Sequence, residues 1–254
     1  MTRKQYFIFL WILGAISTIA VYPFSQVVAL LTGNSLMDIE LTNTTIMVFL
    51  LEGTVVHGIV LFFGMKFADK IGAKFLLMRS GVSWMADLFR PAIIGGILCS
   101  ATVLLVDYLL PISSLTLGSL IMQTPPLYGL LAVAGGVVSQ EVLLCLLIIS
   151  GIALLFKKLF KTADMNTVMP ISIGISAFLF GVMHLPTFIN IMDIGNADLV
   201  LVVRVIMLNI ITGTTFGMLF WKKGFETAVL AHLIVDTIFY ILISSVIRTG
   251  FFSF

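Results

Sequence analysis

The chain sets a few acids and imidazoles inside runs of otherwise apolar residues: Gln140 and Glu141, then His184, then His232 and Asp236. An ionisable side chain at bilayer depth costs roughly 2.5–3.5 kcal/mol on insertion scales, so each is a functional candidate. Acids and imidazoles together can move protons, stabilise developing charge or ligate an ion. His232 and Asp236 stand at i and i+4 and share a helix face. Asp236 is placed to orient the imidazole or to help coordinate an ion. Phe180 and His184 repeat the spacing, so the ring can pack on the imidazole and fix its rotamer, and Glu141 shares a face with Cys145. Gly135, Gly136 and Ser139 precede them, small residues that let neighbouring helices approach. One imidazole in a membrane helix can be mere packing. Three segments that each offer an acid or an imidazole point to a shared site.

The elements that must position these groups are membrane helices. Hydrophobic residues make up 60% of the 254-residue chain and charged residues only 10%, where a soluble domain is about half apolar and a quarter charged. The solvent for most of the chain is therefore lipid. The apolar runs divide into about seven spans near 6–31, 44–65, 91–111, 128–156, 169–189, 200–221 and 225–246. Pro23 predicts a kink in the first, and Pro91 suits the first turn of the third. The first run follows Arg3 and Lys4 as a signal peptide would, but it is too long for one and lacks a small-x-small cleavage site. It is read as a retained span. The fold class is all-α, a polytopic transmembrane helical bundle, and 1–254 is a single membrane domain.

Orientation follows from the basic residues. With the N-terminus cytoplasmic, Arg3, Lys4, Lys66, Lys70, Lys74, Arg79, Arg90, Lys157, Lys158, Lys161, Lys222 and Lys223 all fall inside, and only Arg204 and Arg248 fall outside. Asp38, Glu40, Asp193 and Asp198 lie in the outer loops. The segment 66–90 mixes Phe67, Phe75, Leu76, Trp84 and Phe89 with charges and is expected to lie on the inner membrane surface. At ~1.5 Å per residue, Glu141 and His184 lie ~22 Å from that surface, Asp236 ~16 Å and His232 ~10 Å. The three helices can thus bring their polar groups together near the midplane. Glu52 and His57 are five apart, on different faces, and read as structural. Asp107 is near enough to an outer helix end to reach water, and Arg204 to snorkel. Cys99 and Cys145 read as free buried thiols. The net charge of +2 gives no reason to expect nucleic acid.

At these residues the sequence resembles the CPBP family, the CAAX proteases and bacteriocin-processing enzymes also called the Abi family. The family's motifs are Glu-Glu-x-x-x-Arg, Phe-x-x-x-His and His-x-x-x-Asn/Asp. The second reads here as Phe180 to His184 and the third as His232 to Asp236. The resemblance covers about 125–245, a CPBP/Abi-like core. The first motif departs: Gln140 stands where the family has its first Glu, and Cys145 where it has Arg. The resemblance implies that His184 positions a water and that His232 with Asp236 stabilises the oxyanion. A neutral amide at Gln140 cannot be the general base. Three explanations stand. Gln is the isosteric replacement used to trap an inactive form, though that leaves Cys145 unexplained. A natural loss of Glu and Arg together removes one charge of each sign and leaves no unpaired buried charge. Or Glu141, about 100° round the helix, has become the base.

Two functions follow from the resemblance. One is an intramembrane endopeptidase of the CAAX-protease type, acting on a peptide or membrane-anchored protein that enters from the cytoplasmic side. The other is a catalytically silent member that binds and regulates another membrane or cell-envelope protein. A glutamate-type protease needs no cofactor. Glu141, His184, His232 and Asp236 are chemically able to ligate zinc. A transporter is weaker, because no internal repeat is evident. The small size and tailless form point to a bacterial plasma membrane.

Overall fold

The computed structural model describes residues 1–32, 42–109, 136–192 and 199–243, with side chains outside 18–32, Asp107, 187–192 and 242–243. Expectations for Asp38, Glu40, Gly135, Asp193, Asp198, Arg248, the side chain of Asp107, the start of span four and the end of span seven lie outside them. The described residues are helical and contain no strand. Helix α1 is Arg3–Thr32 and runs through Pro23 without interruption. Helix α2 is Asn43–Lys70, and α3 is Arg90–Leu109, entered by a π turn at Trp84–Phe89. Helix α4 is Gly136–Leu159, α5 is Met165–Met192 and α6 is Leu199–Lys222. Helix α7 is Phe225–Thr237, continued by a π stretch at Ile238–Ile243. Five of these helical stretches, Asn43–Lys70, Trp84–Val106, Gly136–Leu159, Met165–Pro186 and Leu199–Lys222, are long and apolar enough to cross a bilayer. The chain is an all-α membrane protein.

Small residues set the packing, because lipid-soluble helices gain little from hydrophobicity and must approach closely to gain dispersion contacts. The pair α5–α6 is the most extensive. A Cβ on Gly213 would stand 3.0 Å from Ala177, one on Gly217 2.8 Å from Ile173, and one on Gly181 3.0 Å from the backbone of Ile206. Between α3 and α7, a Cβ on Gly96 would lie 2.8 Å from Ile234. Between α2 and α4, Gly64 meets Leu146. Helix α1 joins through Ser17, whose hydroxyl shares a 2.7 Å hydrogen bond with Ser139 of α4.

One end of the bundle is closed by the segment after α2. Phe75 and Leu76 are buried, so this part of 66–90 tucks beneath the helices and does not lie on lipid; Trp84 and Phe89 remain exposed. The Glu226 carboxyl accepts the backbone N–H of Leu76 at 2.8 Å and of Leu77 at 3.0 Å. The N–H of Phe225 donates to the Lys74 carbonyl at 3.0 Å. Gly224 makes this approach: its φ is +136°, and a Cβ there would sit 3.0 Å from that carbonyl. Arg3 pairs with Asp69. These contacts gather Arg3, Lys70, Lys74, Lys222 and Lys223 at the same end.

His57 is buried against α1. Its Nε2 is 3.3 Å from the Leu10 carbonyl oxygen, and the ring lies over Gly14, where any Cβ would collide with it. This is a packing role, as the spacing to Glu52 predicted. Arg204 is buried, 3% exposed.

Candidate functional site

Glu141 is the centre of the polar cluster. Its side chain is fully buried, and both carboxyl oxygens are engaged by side-chain donors. The Nδ1–H of His232 donates to Oε1 at 2.8 Å. The thiol of Cys145 donates to Oε2 at 3.0 Å, across one turn of its own helix. On the far edge of the same imidazole, Nε2 lies 3.7 Å from Oδ1 of Asp236, an ion-pair distance. One imidazole is therefore flanked by two carboxyls, one from α4 and one from α7. Side-chain exposure rises along this line, from 0% at Glu141 to 9% at His232 and 23% at Asp236, so its open end is Asp236.

The local backbone explains why Glu141 faces inward. Helix α4 becomes π-helical at Val142–Ile149, immediately after it. A π turn holds more residues than an α turn and so rotates the residues before it relative to those after it. Ser150 Oγ donates to the Cys145 carbonyl at 2.9 Å, five residues back, and supplies a donor within the widened ladder. Helix α7 makes the same change at Ile238, two residues after Asp236. Both acids thus sit beside a local widening of their helix, a feature common at functional sites.

His184 is set by α5. Its Nδ1 lies 2.8 Å from the Phe180 carbonyl oxygen, and the Phe180 ring packs edge-on at 4.4 Å, the contact that the Phe-x-x-x-His spacing predicted. A carbonyl can only accept, so Nδ1 carries the proton and the neutral ring keeps its lone pair on Nε2. His184 is half-buried and within electrostatic reach of His232.

Gln140 stands differently. It is half-buried, its amide nitrogen would be 3.0 Å from a Cβ on Gly136, and its side chain forms no hydrogen bond with another described residue. Of the five residues singled out from sequence, Glu141, His232 and Asp236 come together; His184 contacts only Phe180 among them and their neighbours, within electrostatic reach of His232, and Gln140 lies against its own helix.

Sequence reasoning did not identify the remaining neighbours. The Phe216 ring of α6 stacks on His232, with centroids 4.5 Å apart and planes 16° apart. Cys99 of α3 lies beside Thr215 and Asp236, and Tyr240 also neighbours Asp236. Aromatic and thiol side chains are too common in apolar helices for spacing alone to mark these. Cys99 and Cys145 are free and buried, as expected.

The cluster does not fit a metal centre. Among the described residues, no three or more His, Cys, Asp or Glu side chains converge as ligands would. Comparisons of the chain with protein-family models, with curated proteins and with solved structures found no match.

Proposed function

We propose that the chain is an intramembrane endopeptidase of the CAAX-protease type, and that His184 and His232 carry its chemistry. The observation behind this reading is the division of labour between the two imidazoles. His184 is half-buried with Nδ1 turned to the Phe180 carbonyl, so that in its neutral form Nε2 is the unprotonated nitrogen a general base needs. His232 is anchored through Nδ1 to Glu141, and its Nε2 edge, 3.7 Å from Asp236 and so outside hydrogen-bond length, is the donor it can offer to developing negative charge. In the proposed reaction His184 Nε2 takes a proton from water, and the hydroxide forms a bond to the peptide carbonyl carbon. The oxyanion is stabilised by His232. The tetrahedral intermediate then collapses, the C–N bond breaks, and His184 returns its proton to the leaving amine. Glu141 positions His232 and is not the base, since neither of its oxygens is open to a water. Gln140 has no part in the step.

The same reading places seven spans in a bacterial plasma membrane with the N-terminus cytoplasmic. The gathering of basic residues at one end of the bundle supports that orientation. The substrate enters as a peptide or membrane-anchored protein from that side.

A second reading is favoured by the enclosure of Glu141 and the neutral Gln140: a silent family member that binds another membrane protein. One experiment separates the two. Purified protein is incubated with lipidated C-terminal peptides, alongside His184→Ala and Gln140→Glu. Cleavage that is lost in His184→Ala supports the peptidase. Cleavage by Gln140→Glu alone identifies an intact scaffold that has lost its base. Failure of both, with a membrane protein co-purifying in equal amount, supports the binding role.

A further inference from the structure

Away from the polar cluster, at the end of the bundle closed by the segment after α2, four cationic side chains surround one cavity. It measures about 310 Å³ and is lined by Lys74, Arg79, Lys222 and Lys223. Among the described residues its only acidic lining residue is Asp87, whose Oδ2 already accepts the Ser83 N–H at 3.1 Å. The walls of the cavity are tied to one another. Lys74 Nζ donates to the Lys222 carbonyl at 2.9 Å, which fixes one wall to the other. The ammonium of Lys222 stands 3.3 Å over the Trp221 ring. The rim turns at Gly81, with φ +71°. The Phe225–Lys74 and Glu226–Leu76 hydrogen bonds hold the floor.

We infer that this cavity binds the phosphate group of an anionic phospholipid. Four basic residues line the cavity against one acidic residue, and phosphate offers several acceptors to the fork of Arg79 and to lysine ammonium groups. Three membrane-crossing stretches end at this point: Asn43–Lys70 and Leu199–Lys222 stop here, and Trp84–Val106 starts here. The opening therefore lies at headgroup depth. Trp84, Met85 and Phe89 are exposed beside it, at 44%, 67% and 43%, and offer an apolar surface for acyl chains. A soluble phosphate compound would use the cations but leave that surface without a role. Basic pockets between membrane helices recur as headgroup sites. None of these residues belongs to the His232 cluster, so the site stands whether or not the chain cleaves peptides.

The test uses the full chain in neutral detergent, titrated with short-chain phosphatidylglycerol and followed by native mass spectrometry and by the shift in melting temperature. The side chains of Arg79 and Lys223 make no hydrogen bond to another described residue that would explain their placement, so Arg79→Gln/Lys223→Gln removes two charges and leaves the Lys74–Lys222 contact in place. Affinity should fall on the order of twentyfold, about fivefold for each charge, with the lipid-free melting temperature unchanged. Lys158→Gln/Lys161→Gln removes as much charge at a different loop and should leave affinity unchanged. Equal loss in both double variants would reduce the effect to general attraction and overturn the site. Unchanged affinity in Arg79→Gln/Lys223→Gln would overturn it too. If glycerol 3-phosphate or inorganic phosphate binds as tightly as the lipid, the lipid assignment fails in favour of a soluble phosphate.

Discussion

Glu226 and Glu141 each have both carboxyl oxygens engaged, at nearly equal distances: 2.8 and 3.0 Å in each case. The donors differ. Glu226 accepts two backbone N–H groups, from Leu76 and Leu77, which cannot titrate or exchange a proton usefully. Glu141 accepts from an imidazole and a thiol, both of which can. The surroundings differ as well. Glu226 lies in the first turn of α7 and ties that helix to the segment after α2. Glu141 lies deep among apolar residues, where an acid is tolerated only with its donors in place. Hydrogen-bond count and length therefore do not separate a clamp from a working group; donor chemistry and position do.

The widest separation should come from the paired substitutions Glu141→Gln and Glu226→Gln. If the peptidase reading holds, Glu141→Gln weakens the acceptor that holds His232 Nδ1 and aims the ring, and should lower turnover by about 10²–10³-fold, the scale of losing one stabilising donor at an oxyanion. The melting temperature should change little, since the amide fills the same space and still accepts from His232. Glu226→Gln should leave turnover unchanged. Equal turnover losses in the two would erase the distinction. Stability reverses the ranking. Glu226→Ala strands the N–H groups of Leu76 and Leu77 and should cost about 2 kcal/mol in denaturant unfolding, with normal turnover in the folded fraction. Gly224→Ala attacks the same clasp through the backbone. Its φ of +136° and the approach to Lys74 predict a loss of about 1–3 kcal/mol, again without effect on His232.

The contrast between the two acids also shows what a sequence can reveal. Helix boundaries and the i,i+4 pairs are legible, because apolar runs and four-residue spacings translate directly into helices and faces. Phe180 against His184 and Cys145 against Glu141 follow from spacing alone. The clasp is not legible: Phe75, Leu76 and Glu226 meet across about 150 residues, and an amphipathic segment reads alike whether it lies on lipid or beneath a bundle. Nor is the choice between Gln140 and Glu141. That depends on a π stretch at Val142–Ile149, whose uniformly apolar sequence gives no sign of a widened helix.

The smallest effect tests the least obvious partner. In an apolar helix a cysteine is usually just a compact hydrophobe, and Cys145 would then tolerate alanine with only a small packing loss. Its position 3.0 Å from Glu141 Oε2 argues otherwise, because alanine would leave one oxygen of a fully buried acid without a donor. Cys145→Ala should therefore cost about 1 kcal/mol in stability, whereas Cys145→Ser, which keeps an O–H donor at that place, should recover most of it. Both should leave the Glu226 clasp intact, as judged by protection of the Leu76 and Leu77 amides from hydrogen exchange. If serine is no better than alanine, the thiol is packing alone, and Glu141 depends on His232 for its only meaningful donor.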